Sequence, residues 1–411
     1  MNGRRVVVTG IGPVTPIGTG VEAFWEAAVA GRNGIRRIQN FDPSGLPVQI
    51  AGEVPDFDPA EWMGAKEARR TDRVVHLAVA AAQLAWTDAG SPQVEPSRVG
   101  VVFSTGVGGL ESLLRQHLVF LEKGPDRVSP FLVPQMMPNA AAGHIAMHFG
   151  FTGPNSCVTT ACAAGAHGVG WAFRLVKLGL ADVAIGGGSE AATLPLTVAG
   201  FAQAQALTRN PDPETASRPF DKHRDGFVLA EGACALVLEE AERARARGAR
   251  IYAEVAGFGE SADAYHITAP QPEGIGAIQA TQACLEEAGE PPEAVGYINA
   301  HGTSTPLNDA AETRAIKKAL GDHAYRVPVS STKSMTGHMV GAAGAAEAAV
   351  AALVVARGVI PPTIHYETPD EECDLDYVPN VARPADVRLA LSNAFGFGGH
   401  NAVLAFRRWE G

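Results

Sequence analysis

One pattern occurs twice in this sequence, as VGVVFSTG at residues 99–106 and as VGYINAHG at residues 295–302. Each copy follows an alanine-rich stretch with helical propensity (residues 81–90 and 280–289), which ends in an Ala-Gly pair and continues into a loop that contains proline. Repetition at such a separation is typical of two related halves rather than of a short-period solenoid. The sequence therefore predicts a fold built from two similar halves.

The remaining sequence agrees with this architecture. Short apolar strands alternate with alanine-rich helical stretches, which predicts the α/β class. The length of 411 residues exceeds what one core usually supports. An arginine-rich stretch at residues 242–247 is typical of a solvated surface helix. We place the boundary just after it, and predict an N-terminal half over residues 1–250 and a C-terminal half over residues 251–411.

Composition and charge disfavour several classes of protein. The net charge of −11 argues against a nucleic-acid binder. The longest apolar run, residues 341–355, contains Glu347, and the first residues, MNGRR, lead directly into the apolar residues 6–8, so we expect neither a membrane span nor a secretory signal. The five cysteines are scattered without a C-x-x-C spacing, which disfavours disulfides and a metal site and fits a reducing cytoplasm.

The candidate nucleophile is Cys162, in the stretch VTTACAAG at residues 158–165. Residues 158–160 are predicted to end a strand, and residues 163–178 to form a helix that stops at Gly179. Cys162 would then lie at a helix N-terminus, where the macrodipole and free N–H groups lower a thiol pKa and can hold an oxyanion. An inert, buried cysteine is the common alternative for a free thiol.

Two histidine motifs make the reactive interpretation of Cys162 stronger. His301 lies in NAHGTSTP at residues 299–306, and His338 ends the stretch KSMTGH at residues 333–338. A cysteine combined with histidines from distant parts of the sequence is a known catalytic pattern. The sequence therefore predicts covalent thioester chemistry.

A competing interpretation is nicotinamide binding, because VVVTGIG at residues 6–12 looks like a dinucleotide-binding turn. Thr15 stands where the third glycine of that motif belongs, and no acidic residue follows at the required distance. A short glycine pattern alone is weak evidence, so we do not expect a nucleotide cofactor.

Together with SNAFGFGG at residues 392–399, the cysteine and histidine motifs resemble one family, the condensing enzymes related to β-ketoacyl-acyl carrier protein synthase II of type II fatty-acid synthesis. The similarity extends over nearly the whole chain and includes residues 217–221, 224–228 and 263–266. It implies a thiolase-like, five-layered αβαβα fold with two pseudo-symmetric halves, usually a homodimer. It also implies a soluble enzyme without a cofactor of its own, because phosphopantetheine arrives on the carrier protein.

The resemblance implies a mechanism for these residues. Cys162 would take the acyl group from acyl carrier protein, while its own N–H and that of Phe397 form the oxyanion hole. His301 and His338 would donate hydrogen bonds to the malonyl thioester oxygen as CO2 leaves. Lys333 would assist electrostatically. The acyl group held on the enzyme would then react in a second step, which implies ping-pong kinetics.

Further site residues follow from the resemblance and are grouped by role. Glu347, expected to pair with Lys333, Asp309 and Glu312 would support the catalytic residues. Thr303 and Thr305 would bind pantetheine, and Phe397 would also gate the acyl pocket. That pocket would be lined by Val107, Ala161, Leu132 and Phe395. A basic patch for acyl carrier protein, predicted to share one helical face, would consist of Lys66, Arg69, Arg70 and Arg73.

Two rival functions remain within reach of the same motifs. The nearest is the ketosynthase subunit of a type II polyketide synthase, which acts as a heterodimer with a chain-length partner. A non-condensing chain-length subunit is disfavoured because Cys162 is present, and a degradative thiolase because no second cysteine lies in the C-terminal glycine motif. Gln205 is a departure, since it occupies a place where a relative has a basic docking residue.

Overall fold

The computed structural model describes residues 4–411. Residues 1–3 belong to the N-terminal stretch for which no secretory signal is expected, and they lie outside the described part. The strands of the described chain are β1 Val6–Thr15, β2 Gly18–Thr19, β3 Ile35–Arg37, β4 Ile50–Gly52, β5 Val99–Ser104, β6 Asn155–Ser156, β7 Val183–Glu190, β8 Gly232–Glu240, β9 Ala253–Ala262, β10 Tyr297–Asn299, β11 Val329–Ser330, β12 Val359–Ile360, β13 Arg383–Pro384, β14 Leu389–Gly396 and β15 His400–Arg407.

The α-helices of the same residues are α1 Val21–Val29, α2 Pro59–Met63, α3 Ala65–Ala68, α4 Arg73–Asp88, α5 Leu110–Lys123, α6 Leu132–Met136, α7 Ala140–Phe149, α8 Ala164–Lys177, α9 Pro195–Gln203, α10 Ala241–Ala246, α11 Ile275–Ala288, α12 Pro306–Leu320, α13 Lys333–Thr336 and α14 Ala343–Arg357. Short 3₁₀ turns precede α8 at Ala161–Ala163 and α14 at Val340–Ala342.

The main strands follow the order β11-β10-β14-β15-β9-β1-β8-β7-β5-β6. From the β1–β9 pair outward, each half has the same arrangement: two antiparallel pairings followed by two parallel ones. Because the strands enter in the same sequence order in both halves, the arrangement confirms the two related halves that the repeated pattern predicts.

Helices cover both faces of each half, which gives five layers. In β8, Leu236 and Leu238 face the central core with α8 and α14, whereas Ala235 and Val237 face the outer core with α4. This alternation is the period of two that a strand between two helical layers requires. On the other half, α11 and α12 form the outer layer. The predicted αβαβα architecture is confirmed.

Glycine makes the close approach of α4 to β1 possible. A Cβ atom at Gly10 would lie 2.1 Å from the Ala85 carbonyl oxygen, and one at Gly12 would lie 2.1 Å from that of Ala81. These residues belong to the turn that looks like a dinucleotide-binding motif. Here its glycines serve helix-on-sheet packing.

One helical stretch, Val340–Arg357, is long and apolar enough to cross a bilayer, but 89% of its most apolar window is buried inside the protein. It comprises α14 and the turn before it, in the central layer between the halves. Its apolar character therefore reflects its place in the core.

Most predicted element positions are confirmed, including β1, β5, β10 and the helix after Cys162. The predicted strand end at residues 158–160 is wrong. The strand β6 ends at Ser156, and the next residues run as an irregular segment into the 3₁₀ turn that contains Cys162.

Candidate active site

Cys162 lies in the tight turn that leads into α8, and only 9% of its surface is exposed. The preceding Ala161 has φ +49°, in the left-handed region that non-glycine residues rarely adopt. Gly396 packs against this turn, since a Cβ atom there would lie 2.5 Å from the Thr160 carbonyl oxygen and 3.2 Å from the Cys162 nitrogen. The cysteine is thus presented on a strained turn that the C-terminal glycine motif supports.

The predicted lowering of the Cys162 pKa is wrong for the free protein. Burial raises the pKa of this thiol to about 11, against the opposing effects of the Phe397 N–H group and the Lys333 charge. Desolvation disfavours the thiolate more than the turn and its donors favour it. The resting enzyme therefore holds a neutral thiol at neutral pH.

The donors expected for an oxyanion hole do converge on the sulfur. The backbone N–H groups of Phe397 and of Cys162 itself both favour the thiolate as hydrogen-bond donors. Phe397 is half-buried, and its ring centroid lies 6.5 Å from that of Phe201. Two N–H groups aimed at one point are suited to a developing negative oxygen.

His301 is fixed from two sides. Its backbone N–H donates to Glu312 Oε1 at 2.8 Å, and that of Gly302 donates to Glu312 Oε2 at 2.8 Å. Lys333 Nζ donates to the His301 carbonyl oxygen at 2.6 Å and lies 3.4 Å from His301 Nδ1. An ammonium group has no lone pair, so this contact requires the lone pair on Nδ1 and assigns the ring proton to Nε2.

His338 faces His301 across the cleft, with ring centroids 5.4 Å apart and an interplanar angle of 84°. Its backbone is held by Val228, whose carbonyl accepts from the His338 N–H at 2.7 Å. Phe227 packs edge-on against the ring at 5.1 Å. Burial lowers the pKa of both histidines well below the usual value, and the Lys333 charge adds to this. Both rings are therefore neutral and can each donate one hydrogen bond.

Lys333 is almost fully buried and forms an ion pair with Glu347, as the sequence predicts. Burial raises the pKa of Glu347, while Lys333 acts in the opposite direction. Because an unpaired charge would be very costly here, each partner makes burial of the other possible. Asp309 is also buried, and its Oδ2 accepts the Phe220 N–H at 2.8 Å beside Arg224.

Asn393 supports the site in a way that the sequence alone did not indicate. It lies in the C-terminal motif, and its Nδ2 donates to Glu312 Oε1 at 3.0 Å. It thereby links that motif to the backbone of His301 through the carboxylate of Glu312. The two residues are 81 positions apart, so no local pattern indicates this contact.

A cleft of about 330 Å³ brings Cys162, His301 and His338 together. Phe395, Phe397, Thr303 and Thr305 also line it. The two threonine hydroxyls lie 2.9 Å apart. The other residues expected in the acyl pocket do not line this cleft. Ala161 directly precedes Cys162 in the turn, Val107 is 43% exposed, and Leu132 is half-buried at the start of α6.

The predicted basic patch for a carrier protein needs correction. The helix breaks between α3 and α4, so these residues do not share one helical face. Lys66, Arg69 and Arg70 are exposed. Arg73 forms a paired contact with the buried Glu231, at 2.6 and 2.7 Å, and is not free to bind a partner. The sequence could not reveal this long-range ion pair.

Some buried oxygen atoms near Lys333 could hold a hard cation. Asn299 Oδ1, Ser392 Oγ and Glu347 Oε2 have no hydrogen-bond partner among residues 4–411. Asn299 and Ser392 are direct neighbours on β10 and β14, against which α14 packs with Glu347. Oxygen ligands of this kind suit a hard cation. That the chain needs no metal remains a prediction.

Comparison with known proteins places the chain in a family. Residues 3–244 match the beta-ketoacyl synthase, N-terminal domain, and residues 252–367 match the beta-ketoacyl synthase, C-terminal domain. The 3-oxoacyl-[acyl-carrier-protein] synthase 2 of Synechocystis sp. is 53% identical over 410 residues, which cover 99% of each chain.

Solved structures give the same result for the fold. The ishigamide ketosynthase/chain length factor is 39% identical with a TM-score of 0.93, covering 99% of this chain and 100% of that one. A type II polyketide synthase acyl-carrier protein in complex with its ketosynthase bound to the hexaketide gives 34% identity, a TM-score of 0.92 and the same coverage. With both domains matched in order and a full-length relative more than half identical, the chain belongs to the beta-ketoacyl synthase family.

Proposed function

We propose that this chain is a 3-oxoacyl-acyl carrier protein synthase that elongates acyl groups by two carbons in type II fatty-acid synthesis. The observation that carries the proposal is the cleft in which the Cys162 thiol faces two neutral histidines and two converging N–H groups. The arrangement suits a decarboxylative Claisen condensation, with malonyl-acyl carrier protein as the donor.

In the first step Cys162 attacks the thioester of acyl-acyl carrier protein. The sulfur–acyl bond forms, the pantetheine thiolate leaves, and the proton of the neutral Cys162 thiol ends on that thiolate. The N–H groups of Cys162 and Phe397 stabilise the negative oxygen of the tetrahedral intermediate. Because burial disfavours a free thiolate, we expect the proton to leave as the sulfur attacks rather than beforehand.

In the second step malonyl-acyl carrier protein occupies the same cleft, with its pantetheine beside Thr303 and Thr305. The malonyl carboxylate leaves as CO2, and its bonding electrons form an enolate of the thioester. His301, through its Nε2 proton, and His338 donate hydrogen bonds to the enolate oxygen. His301 is held by Lys333 and Glu312, and His338 is held through its backbone by Val228. Both donors are therefore oriented before the charge develops, which is what electrostatic stabilisation requires.

In the third step the enolate carbon attacks the acyl thioester on Cys162. The new carbon–carbon bond forms, the intermediate collapses, and the Cys162 thiolate leaves and takes up a proton from water. The high pKa of this thiol favours that protonation and returns the enzyme to its resting state. The product is a 3-oxoacyl-acyl carrier protein.

Fatty-acid elongation is favoured over the polyketide alternative by the degree of similarity. The full-length relative named as a 3-oxoacyl-acyl carrier protein synthase is 53% identical. The ketosynthase of the type II polyketide synthase complex is 34% identical, and the ishigamide ketosynthase/chain length factor is 39% identical. A relative of the polyketide kind would also need a chain-length partner. We infer that this chain works without one.

The assembly that we propose is a homodimer in the cytoplasm, which receives acyl carrier protein at the exposed Lys66, Arg69 and Arg70. Helix α5 buries only Ser112 and exposes Leu118 at 57% and Leu121 at 64%. An apolar face of this kind on an isolated chain supports contact with a second copy.

The boundary at residue 250 is supported by the passage from β8 through α10 to β9.

Acyl transfer to Cys162→Ala tests the first step. Wild-type protein incubated with acyl-acyl carrier protein should gain the mass of one acyl group, and the variant should gain none and form no 3-oxoacyl product. Cys157→Ala is the matched control, since Cys157 does not line the cleft and should still acylate normally. Full condensation activity of Cys162→Ala would disprove the mechanism.

A further inference from the structure

Because the two halves are related, the residues of the catalytic site have counterparts in the opposite halves. These counterparts are different residue types. In the repeated pattern, Thr105 holds the position of His301. The turn before α14 corresponds to the turn before α8, and it places Gly341 at the position of Cys162. Both turns begin with a non-glycine residue at positive φ, +43° for Val340 and +49° for its counterpart.

Glu190 belongs to this counterpart site. The register of β7 on β5 matches that of β14 on β10, which makes Glu190 the counterpart of Phe395. The contacts agree with this correspondence. Thr105 Oγ1 donates to Glu190 Oε1 at 3.0 Å, whereas the Phe395 ring lies 5.7 Å from that of His301. Glu190 therefore places a carboxylate in the N-terminal half at the position where the C-terminal half has the phenyl ring of Phe395.

The carboxylate of Glu190 is held by neutral donors. Its Oε2 accepts the N–H of Gly106 at 2.8 Å and that of Gly341 at 3.1 Å, and the side chain is fully buried. Among residues 4–411 the groups that act on its pKa are backbone N–H groups and the Thr105 hydroxyl, and no cationic side chain is one of them. Burial raises the pKa of Glu190 to about 7, while the backbone donors act in the opposite direction. This is the chemistry of a small site for an anion, filled by the chain itself.

The glycines around Glu190 leave no space for a side chain. A Cβ atom at Gly341 would lie 2.3 Å from the Gly106 nitrogen and 2.8 Å from Glu190 Oε2. One at Gly106 would lie 2.6 Å from the same oxygen and 3.0 Å from Val340 Cγ1. The counterpart position therefore cannot carry a nucleophile, and the carboxylate can bridge the two halves at close range.

We propose that Glu190 is a positioning residue, an internal anion that fills the counterpart of the oxyanion hole and holds the turn before α14 against the turn that carries Cys162. The Gly341 N–H, the equivalent of the Cys162 N–H, donates to this anion. The two turns contact each other, and Val340 packs in the same apolar cluster as Cys162. The effect of Glu190 on the reaction rate rests on the condensation proposed above. The binding of an anion at this site does not depend on that proposal.

The test uses Glu190→Ala, because the atoms removed correspond to acetate. We expect the variant to lose roughly tenfold to a hundredfold in kcat with little change in KM, since small displacements of reacting groups cost rate. It should also melt at a lower temperature. At pH 8, above the raised pKa of Glu190, added acetate should raise both kcat and the melting temperature of the variant, and the neutral isostere acetamide should raise neither.

Glu239→Ala is the matched control. Glu239 is equally buried in the same half, but its carboxylate is held by Arg247 at 2.7 Å and by Arg243. Its loss should lower the melting temperature without changing kcat. Acetate, which can pair with the two arginines left behind, should raise that melting temperature but should leave kcat unchanged.

A wild-type rate for Glu190→Ala, or an equal response of its melting temperature to acetate and acetamide, would overturn the proposal. If Glu190→Ala does not fold, the isosteric Glu190→Gln replaces it, and this variant should fold but turn over slowly; a wild-type rate would again overturn the proposal. If wild-type protein shows no condensation, the function proposed above fails, and the melting temperatures of Glu190→Ala still decide the anion site.

Discussion

At the residue scale, the buried state of Cys162 is the main departure from what its sequence context indicates. A helix N-terminus favours a thiolate, but the cost of desolvation is larger when a thiol is almost fully covered. Reactivity then depends on the bound substrate and on the two N–H groups rather than on a thiolate present beforehand.

This leads to a prediction for alkylation of the free enzyme. With a Cys162 pKa of about 11, the thiolate fraction should rise about tenfold per pH unit between pH 7 and 10. The rate of carboxamidomethylation by iodoacetamide, followed by mass spectrometry, should rise in the same way. A plateau below pH 8 would contradict the burial argument.

A second prediction concerns the buried ion pair of Lys333 and Glu347. Lys333→Met leaves a carboxylate without its partner and should destabilise the protein by about 3–5 kcal/mol. The double variant Lys333→Met/Glu347→Gln removes both charges and should recover most of that stability in urea denaturation. It should remain inactive, because His301 Nδ1 has lost the ammonium group that fixes its proton on Nε2. Recovery of activity in the double variant would show that Lys333 serves stability alone.

At the element scale, Gly396 at the end of β14 supports the turn of Cys162. A methyl group there would lie 2.5 Å from the Thr160 carbonyl oxygen, so Gly396→Ala must push the turn away. We expect at least a tenfold loss in the rate of acyl transfer to Cys162, measured by mass spectrometry of the acyl-enzyme. Gly200→Ala, at an open position on α9, is the control and should acylate normally. Equal rates for both variants would contradict the support role.

Glu312 on α12 gives a prediction about pH. Burial raises the pKa of Glu312 from 4.5 to about 7, so the folded protein binds this proton more tightly than the unfolded chain does. Its contribution to stability is therefore fully present below about pH 4.5 and is lost as the pH rises to about 7. The unfolding free energy of wild type should fall relative to Glu312→Gln by up to about 3 kcal/mol across this range. A difference that does not change between pH 5 and pH 8 would refute the assignment.

The sequence predicted elements well where local signals and repetition agree. The repeated pattern around residues 99–106 and 295–302 predicted two halves, and Gly179 and Gly289 mark real helix ends at positive φ. Contacts between distant segments could not be predicted from the sequence. The pairing of Arg73 with Glu231 and the desolvation of Cys162 arise only when the chain is folded. No local pattern carries that information.

At the scale of the whole molecule, the two halves have the same strand order but different chemistry at their junction. One half provides Cys162, the other provides both histidines, and the cleft forms where the C-terminal glycine motif meets the nucleophile turn. The site therefore depends on the correct packing of α8 against α14 in the central layer. We infer that this assembly needs no further catalytic subunit.

The most direct test of that claim is condensation by the purified chain alone. Malonyl-acyl carrier protein and acyl-acyl carrier proteins of graded length would be supplied, and the products weighed by mass spectrometry. We predict 3-oxoacyl products two carbons longer than each accepted acyl group, with the acyl chain carried transiently on Cys162. An absence of elongation that is reversed by a homologous partner lacking the nucleophile would contradict the account and indicate a polyketide ketosynthase.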